Sequence, residues 1–181
     1  MFNEFININI LSILLMGLSM NNNKFKLHST VFDNGKVMPS QYATTGVTGG
    51  KNISIPFIWE NTPAGTKSFA LTIIDLHPIA NNWVHWMVIN IPPDTKEIEE
   101  GSSNTNKMPK GSKELENTFG WLGYGGPQPP KGSGPHKYEV SIYALNIEKL
   151  DLDKHTSLST FKKAIEGKVI TTAKTIGVFE R

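Results

Sequence analysis

Residues 123–138, GYGGPQPPKGSGPHKY, carry five glycines and four prolines in sixteen positions, then run into the alternating stretch 136–145, HKYEVSIYAL. Glycine lets a backbone take up positive φ or approach another group closely. Proline fixes φ and removes an amide donor, which keeps a segment stiff and out of a sheet ladder. The segment therefore reads as a rigid loop that delivers His136 to the first position of a strand. From there His136, Tyr138, Val140, Ile142 and Ala144 fall on one side. Such a loop suits a pocket wall, and it suits a stiff sheet connection equally well.

Working outward, the same period of two recurs. KFKLHSTVF (24–32) reads as a first strand closed by Asp33-Asn34-Gly35. Ile53, Ile55, Phe57 and Trp59 alternate with polar residues, and Pro56 marks an edge or bulge. SFALTIID (68–75) places Phe69, Leu71, Ile73 and Asp75 on one face. HWMVINI (85–91) places His85, Met87, Ile89 and Ile91 together, with Trp86 opposite in the core. Residues 95–119 are polar and read as a long surface excursion. Ser157 or Ser159 caps a short helix with Leu158, Phe161 and Ile165 at helical spacing and Gly167 at its end. Residues 169–179 read as strand in their last part. Six or seven strands, one convincing helix and no βαβ alternation predict a mainly β fold, an antiparallel β-sandwich with one or two short helices.

The 181 residues allow one domain with a sizeable core. With 38% hydrophobic and 19% charged residues and a net charge of +2, the composition is globular and gives no nucleic-acid face. There is no cysteine, hence no disulfide, thiol nucleophile or thiolate metal site, which fits a reducing compartment. Residues 1–22 form an apolar leader, too short and interrupted for stable membrane insertion. It reads either as a signal peptide ending near Ser19 or as the product of an upstream start, with translation beginning at Met20. The folded domain is expected over 23–181. Its expected location is cytoplasmic, or exported if residues 1–19 are a signal peptide.

Asp75 closes one strand, His85 opens the next and His136 opens a later one, so each sits where an inner row meets the loop-bearing rim. A single strand histidine is most often a satisfied structural residue. Three such residues beside two proline-containing loops point to a site.

These residues resemble the phosphatidylethanolamine-binding protein family, also called Raf kinase inhibitor proteins, and especially its small prokaryotic-type branch. The family's Asp-Pro-Asp-Ala-Pro run leading to His before an aromatic is matched by Asp75-Leu76-His77-Pro78 leading to His85-Trp86. Its Pro-Pro-x-Gly-x-Gly-x-His-Arg-Tyr is matched by Pro129-Pro130-Lys131-Gly132-Ser133-Gly134-Pro135-His136-Lys137-Tyr138. NISIPFIWENTPAGTKSFAL (52–71) and Ile176-Gly177-Val178-Phe179 extend the likeness, which runs from about Lys26 to Arg181. Leu76 and His77 depart from the pattern, and the run to His85 is one residue short.

The resemblance implies a β-sandwich whose ligand site is Asp75, His85 and His136, walled by Pro129, Pro130 and Tyr138. It implies a small anion or phospholipid head group as ligand; neither a cofactor nor catalysis is expected. His77, Trp83 and Gly126 are candidates for the rim. Two histidines are expected to donate to phosphate oxygens and to gain charge as pH falls through about 6.5. Asp75 would orient an imidazole or accept an ethanolamine ammonium. Two or three contacts of roughly 1.5–3 kcal/mol each suggest millimolar to micromolar affinity.

Three other readings compete. Asp75, a histidine and Ser133 invite a hydrolase triad, but no nucleophile-elbow pattern is present. Asp75, His77, His85 and His136 are a conceivable zinc set without a spacing that enforces it, so no metal is expected. The family includes inhibitors of kinases or proteases, so a protein partner is the serious alternative. The oligomeric state stays open, a homodimer included.

Overall fold

The computed structural model describes residues 24–181. The leader, and with it the boundary at residues 22–23, lies outside the described residues. The strands are β1 (Lys26–His28), β2 (Lys36–Val37), β3 (Phe57–Glu60), β4 (Ser68–Asp75), β5 (Trp83–Ile91), β6 (Glu97–Ile98), β7 (Lys113–Glu114), β8 (His136–Leu145) and β9 (Val169–Phe179). One α-helix, α1 (Leu158–Ile165), lies between β8 and β9. A three-stranded sheet, β1-β3-β6, faces a six-stranded sheet, β2-β9-β8-β4-β5-β7. The expected mainly β sandwich is present. All pairs are antiparallel except the two-residue β2–β9 pair, which is parallel.

Every residue of β4 is buried, because its sheet is covered on both faces. Phe69, Leu71 and Ile73 join Phe57 and Trp59 of the small sheet in the larger core. Trp59 meets Phe69 edge to face at 5.4 Å. On the other face Ala70, Met87, Ile89 and Leu145 pack under Phe161 and Ile165 of α1. The helix begins as its sequence predicts: Ser157 Oγ accepts from the Thr160 amide at 3.1 Å. Gly167, at φ 71°, follows its end.

Several boundaries move. β1 is three residues rather than nine, β3 starts only after Pro56, and β9 is strand along its whole length. The polar stretch 95–119 is not a free excursion. It contributes β6 and β7, and Ile98, Ser102, Leu115 and Asn117 are buried. Glu114 holds it down, accepting from Trp86 Nε1 (2.7 Å), Ser103 Oγ (2.6 Å) and the Asn104 amide (2.7 Å).

The Gly/Pro loop is tied to the sandwich through backbone contacts. The Gly126 amide donates to Asn52 Oδ1 at 2.7 Å, and Pro127 O accepts from the Thr44 amide at 3.2 Å. A Cβ on Gly126 would lie 2.1 Å from Tyr42 O. Gly132, by contrast, has open space around it but a φ of 77°. Gly126→Ala should therefore lower stability by about 3 kcal/mol through backbone collision. Gly132→Ala should lose about 1 kcal/mol, the strain of a left-handed residue alone. Urea unfolding of the two variants checks the order, and equal losses would contradict it.

Candidate functional site

β4 and β8 pair so that Asp75 stands opposite Tyr138, and β4 and β5 so that it stands opposite Trp83. This register places Asp75 and His136, distant in sequence, at one end of the large sheet. His85 arrives differently. Ile73 pairs with Trp86 and Ile74 with Val84, so one extra residue, His85, bulges from β5. Strict alternation predicts His85 on the face of Met87 and Ile89, away from Trp86. The bulge reverses this. The His85 ring lies against Tyr138 at 5.0 Å, on the larger-core side that Trp86 also occupies, while Met87 and Ile89 face α1.

Asp75, His85 and His136 are 3%, 3% and 1% exposed. Their polar atoms are almost fully assigned. Asp75 Oδ2 accepts from His136 Nδ1 at 2.6 Å, and Oδ1 accepts from the His77 amide at 2.9 Å. His136 Nε2 lies 2.9 Å from Ser133 Oγ, and Ser133 Oγ donates to Pro130 O at 2.7 Å. His77 stacks on His136 with ring centroids 3.9 Å apart. His85 Nδ1 donates to Gly125 O at 2.6 Å, and the Gly125 amide returns a bond to His85 O at 2.8 Å. Burial lowers the pKa of His85 to about 4, against the smaller opposing pull of the Gly125 carbonyl and the Asp75 charge. Burial, and then Asp75, pushes the Tyr138 hydroxyl well above its usual range.

These groups form the floor of a cavity of about 350 Å³, lined by Asp75, Ile79, Ala80, Trp83, His85, Phe119, Gln128, Pro129, Pro130, His136 and Tyr138. All six residues predicted as ligand-binding line it, and so does Trp83. His77 and Gly126 do not: His77 covers His136 from behind by stacking, and Gly126 is buried against residues 42–44. Phe119, Ile79, Ala80 and Gln128 went unanticipated. Phe119 touches both Trp83 and His85 edge to face. The expectation that both histidines donate to a ligand does not hold. His136 has both nitrogens engaged within the protein, and His85 is neutral with its proton on the Gly125 side. Tyr138 Oη and Trp83 Nε1 are buried in the wall without a hydrogen-bond partner of normal geometry.

The two departures in the first motif have visible consequences. The Leu76 amide donates to Lys137 O at 2.8 Å, a bond that proline could not make. His77 Nδ1 caps the 3-10 turn at Pro78–Ala80, accepting from the Ile79 amide at 3.4 Å. Among the described residues no group of three His, Asp or Glu side chains is placed to hold a metal ion. A larger, open hollow of about 510 Å³ lies at the opposite strand ends, by Thr66, Pro92 and Glu148, and contains no buried titratable group.

A family profile described as phosphatidylethanolamine-binding protein matches residues 28–180. The chain belongs to that family. It is 40% identical over 149 residues to a UPF0098 protein of Methanothermobacter thermautotrophicus, covering 82% of this chain and 93% of the archaeal one. It is 33% identical to the Escherichia coli UPF0098 protein YbcL over 86% of this chain and 87% of YbcL. The crystal structure of YbcL, described as a new member of the mammalian PEBP family, superposes with a TM-score of 0.81 at 32% identity, covering 87% and 98% of the two chains. That of CT736 from Chlamydia trachomatis gives 0.76 at 27% identity, covering 88% and 99%. The prokaryotic-type branch of the family is thus the right one.

The buried, neutral His85 has a consequence for stability. An unfolded chain binds this proton near pH 6.5, the folded one only near 4. The folded state therefore loses stability as pH falls through that interval, by about 2.5 kcal/mol between pH 7 and 4.5. In urea unfolding at those two pH values, His85→Gln should lose that much less than the parent chain. An unchanged pH dependence would show that His85 is not the group responsible.

Proposed function

We propose that this protein binds a small phosphate-like oxyacid or the head group of a phospholipid in the cavity beneath Pro129 and Pro130, without catalytic turnover. The observation that carries the reading is a walled cavity whose floor is a buried Asp75–His136 pair beside a buried His85 with one unpartnered nitrogen. Buried titratable groups are retained at an energetic disadvantage and gather where ligands are handled. Apolar walls favour a ligand with an organic group on its acid. Ile79, 63% exposed, carries that apolar lining to the surface, and Trp121, 43% exposed, stacks on Phe119 at 4.8 Å. Family membership supports a binding role of this kind.

Ser133, His136 and Asp75 do form a hydrogen-bonded chain. We nevertheless favour an orienting role for Ser133. Its hydroxyl has Pro130 O as a second acceptor, and its amide is committed to Pro130 O. The Gly132 amide is committed to Arg181 O, and Pro129, Pro130 and Pro135 have no amide hydrogen to stabilise an oxyanion.

The second reading, an inhibitor or interaction module for a kinase or protease, rests on the family's breadth, with the cavity secondary. No helix among the described residues is long and apolar enough to cross a membrane. We propose a cytoplasmic location; one relative at 31% identity, LppC of Mycobacterium tuberculosis, carries a lipoprotein name and supports export as the alternative.

Calorimetric titration with phenyl phosphate and with phosphorylethanolamine should give dissociation constants between about 1 µM and 1 mM. His85→Ala combined with His136→Ala should abolish the heat, with circular dichroism showing that the variant is folded. His85→Ala alone should weaken binding at least tenfold. A folded double variant that binds both probes like the parent would place the site elsewhere, and a partner protein held equally well by that variant would favour the interaction reading.

A further inference from the structure

Four imidazole nitrogens belong to the site, and three are already spoken for. His136 uses Nδ1 on Asp75 and Nε2 on Ser133, and His85 uses Nδ1 on Gly125 O. A carbonyl oxygen only accepts, so the His85 proton sits on Nδ1 and Nε2 carries a lone pair. At His85 the cavity thus offers a ligand an acceptor where an anion-binding site ordinarily places a donor, while its open donors are Tyr138 Oη and Trp83 Nε1.

The surrounding charges sharpen the point. From β4 comes the Asp75 carboxylate; from β8 come His136, tied to that carboxylate, and the Tyr138 hydroxyl. From the Gly/Pro loop come the Gly125 and Gly126 carbonyls, and Phe119 packs on the ring edge. No lysine or arginine lines the cavity. A doubly charged oxyanion could meet the unpartnered Tyr138 Oη and Trp83 Nε1 donors with some of its oxygens, but it would face the His85 lone pair and the Asp75 carboxylate with no lysine or arginine to offset its second charge.

We infer that the cavity takes its ligand together with a proton: the ligand is an oxyacid, such as a phosphate or phosphonate monoester, bound with one acidic hydrogen shared between its oxygen and His85 Nε2. This rests on the binding reading above and narrows it to the singly charged form. The proton balance is the same whether the monoanion enters as such or the dianion enters with a proton taken from solvent, since the two descriptions share one composition. His85 becomes the specificity-determining residue, and the Asp75–His136–Ser133 chain its fixed neighbour.

The sign of the pH dependence follows. A phosphate monoester loses its second proton near pH 6. Free His85 is neutral down to about pH 4, so its own titration adds nothing above pH 5. Affinity should therefore be flat near pH 5–5.5 and fall above pH 6.5, approaching tenfold for each further unit.

The experiment is titration of the full chain with phenyl phosphate from pH 5 to 8, repeated at pH 8 in two phosphate-free buffers of different ionisation heat. The expected result is a slope approaching −1 in the logarithm of affinity above pH 7 and uptake of about one proton per ligand. In His85→Gln, whose amide can donate to an oxyanion, the slope should flatten while binding persists. Affinity that holds or rises from pH 6 to 8, or no proton uptake, would overturn the inference and leave the binding reading standing. Binding of ethanolamine alone as tight as that of phenyl phosphate would also overturn it, by showing that an ammonium donor is what the lone pair selects. No binding of phenyl phosphate at any pH would take down both.

Discussion

A carboxylate 3% exposed to solvent cannot stand alone, and the arrangement of Asp75 is what the rest of the site answers to. An unpaired buried charge is among the most destabilising features a core can hold. Asp75 avoids this with a ring nitrogen of His136 on one oxygen and the backbone of His77 on the other. That requirement fixes two things at once. It locks β4 and β8 in a register that sets Asp75 opposite Tyr138, and it uses up one face of His136 before any ligand arrives. The second imidazole nitrogen then goes to Ser133, so the Gly/Pro loop is closed over the same pair. A charge that had to be neutralised internally thereby becomes the anchor of the pocket floor.

The consequence is a division of labour between two histidines that look alike in the sequence. His136 is a structural partner of the carboxylate, with the ring of His77 stacked over it. His85 contributes the open nitrogen, and it does so only because β5 gains an extra residue at that point. Without the bulge, a period of two would send His85 toward α1, into the cluster of Met87, Ile89 and Phe161. With it, His85 and Trp86 both face the larger core, and Gly125 can clamp His85 through two backbone-directed bonds. Local disruption of a ladder beside a cavity is where bulges are commonly found, re-aiming one side chain.

How much of this the sequence discloses depends on whether a feature is local. The faces of β4 and β8 are legible because alternation alone decides them: Phe69, Leu71, Ile73 and Asp75 do share a face, as do His136, Tyr138, Val140 and Ile142. Ser157 and Gly167 bracket α1 because capping is local chemistry. The bulge is illegible because its cause lies in the neighbouring strand and in Gly125, forty residues away. The stretch 95–119 misleads for a related reason. Its polar residues are buried by pairing with one another and with Glu114, which composition reads as solvation. Phe119 closes that stretch and looks like an incidental aromatic until Trp83 and His85 are seen against it.

Stiffness of the loop and poverty of positive charge in the cavity belong to one argument. A flexible, lysine-rich rim would capture anions by long-range attraction and release them just as freely with salt. Here the wall is Pro129 and Pro130, held by the Gly126 amide on Asn52, by Pro127 on Thr44 and by Gly132 on Arg181. Little ordering remains to be done when a ligand enters, so modest contacts need not offset a large entropy loss. Selectivity must then come from the few atoms that are fixed and open rather than from net charge, and among the imidazole nitrogens only His85 Nε2 is both. On the proposed reading such a site would discriminate by where a proton sits, because a lone pair held rigidly beside a carboxylate disfavours a bare oxygen and favours a protonated one.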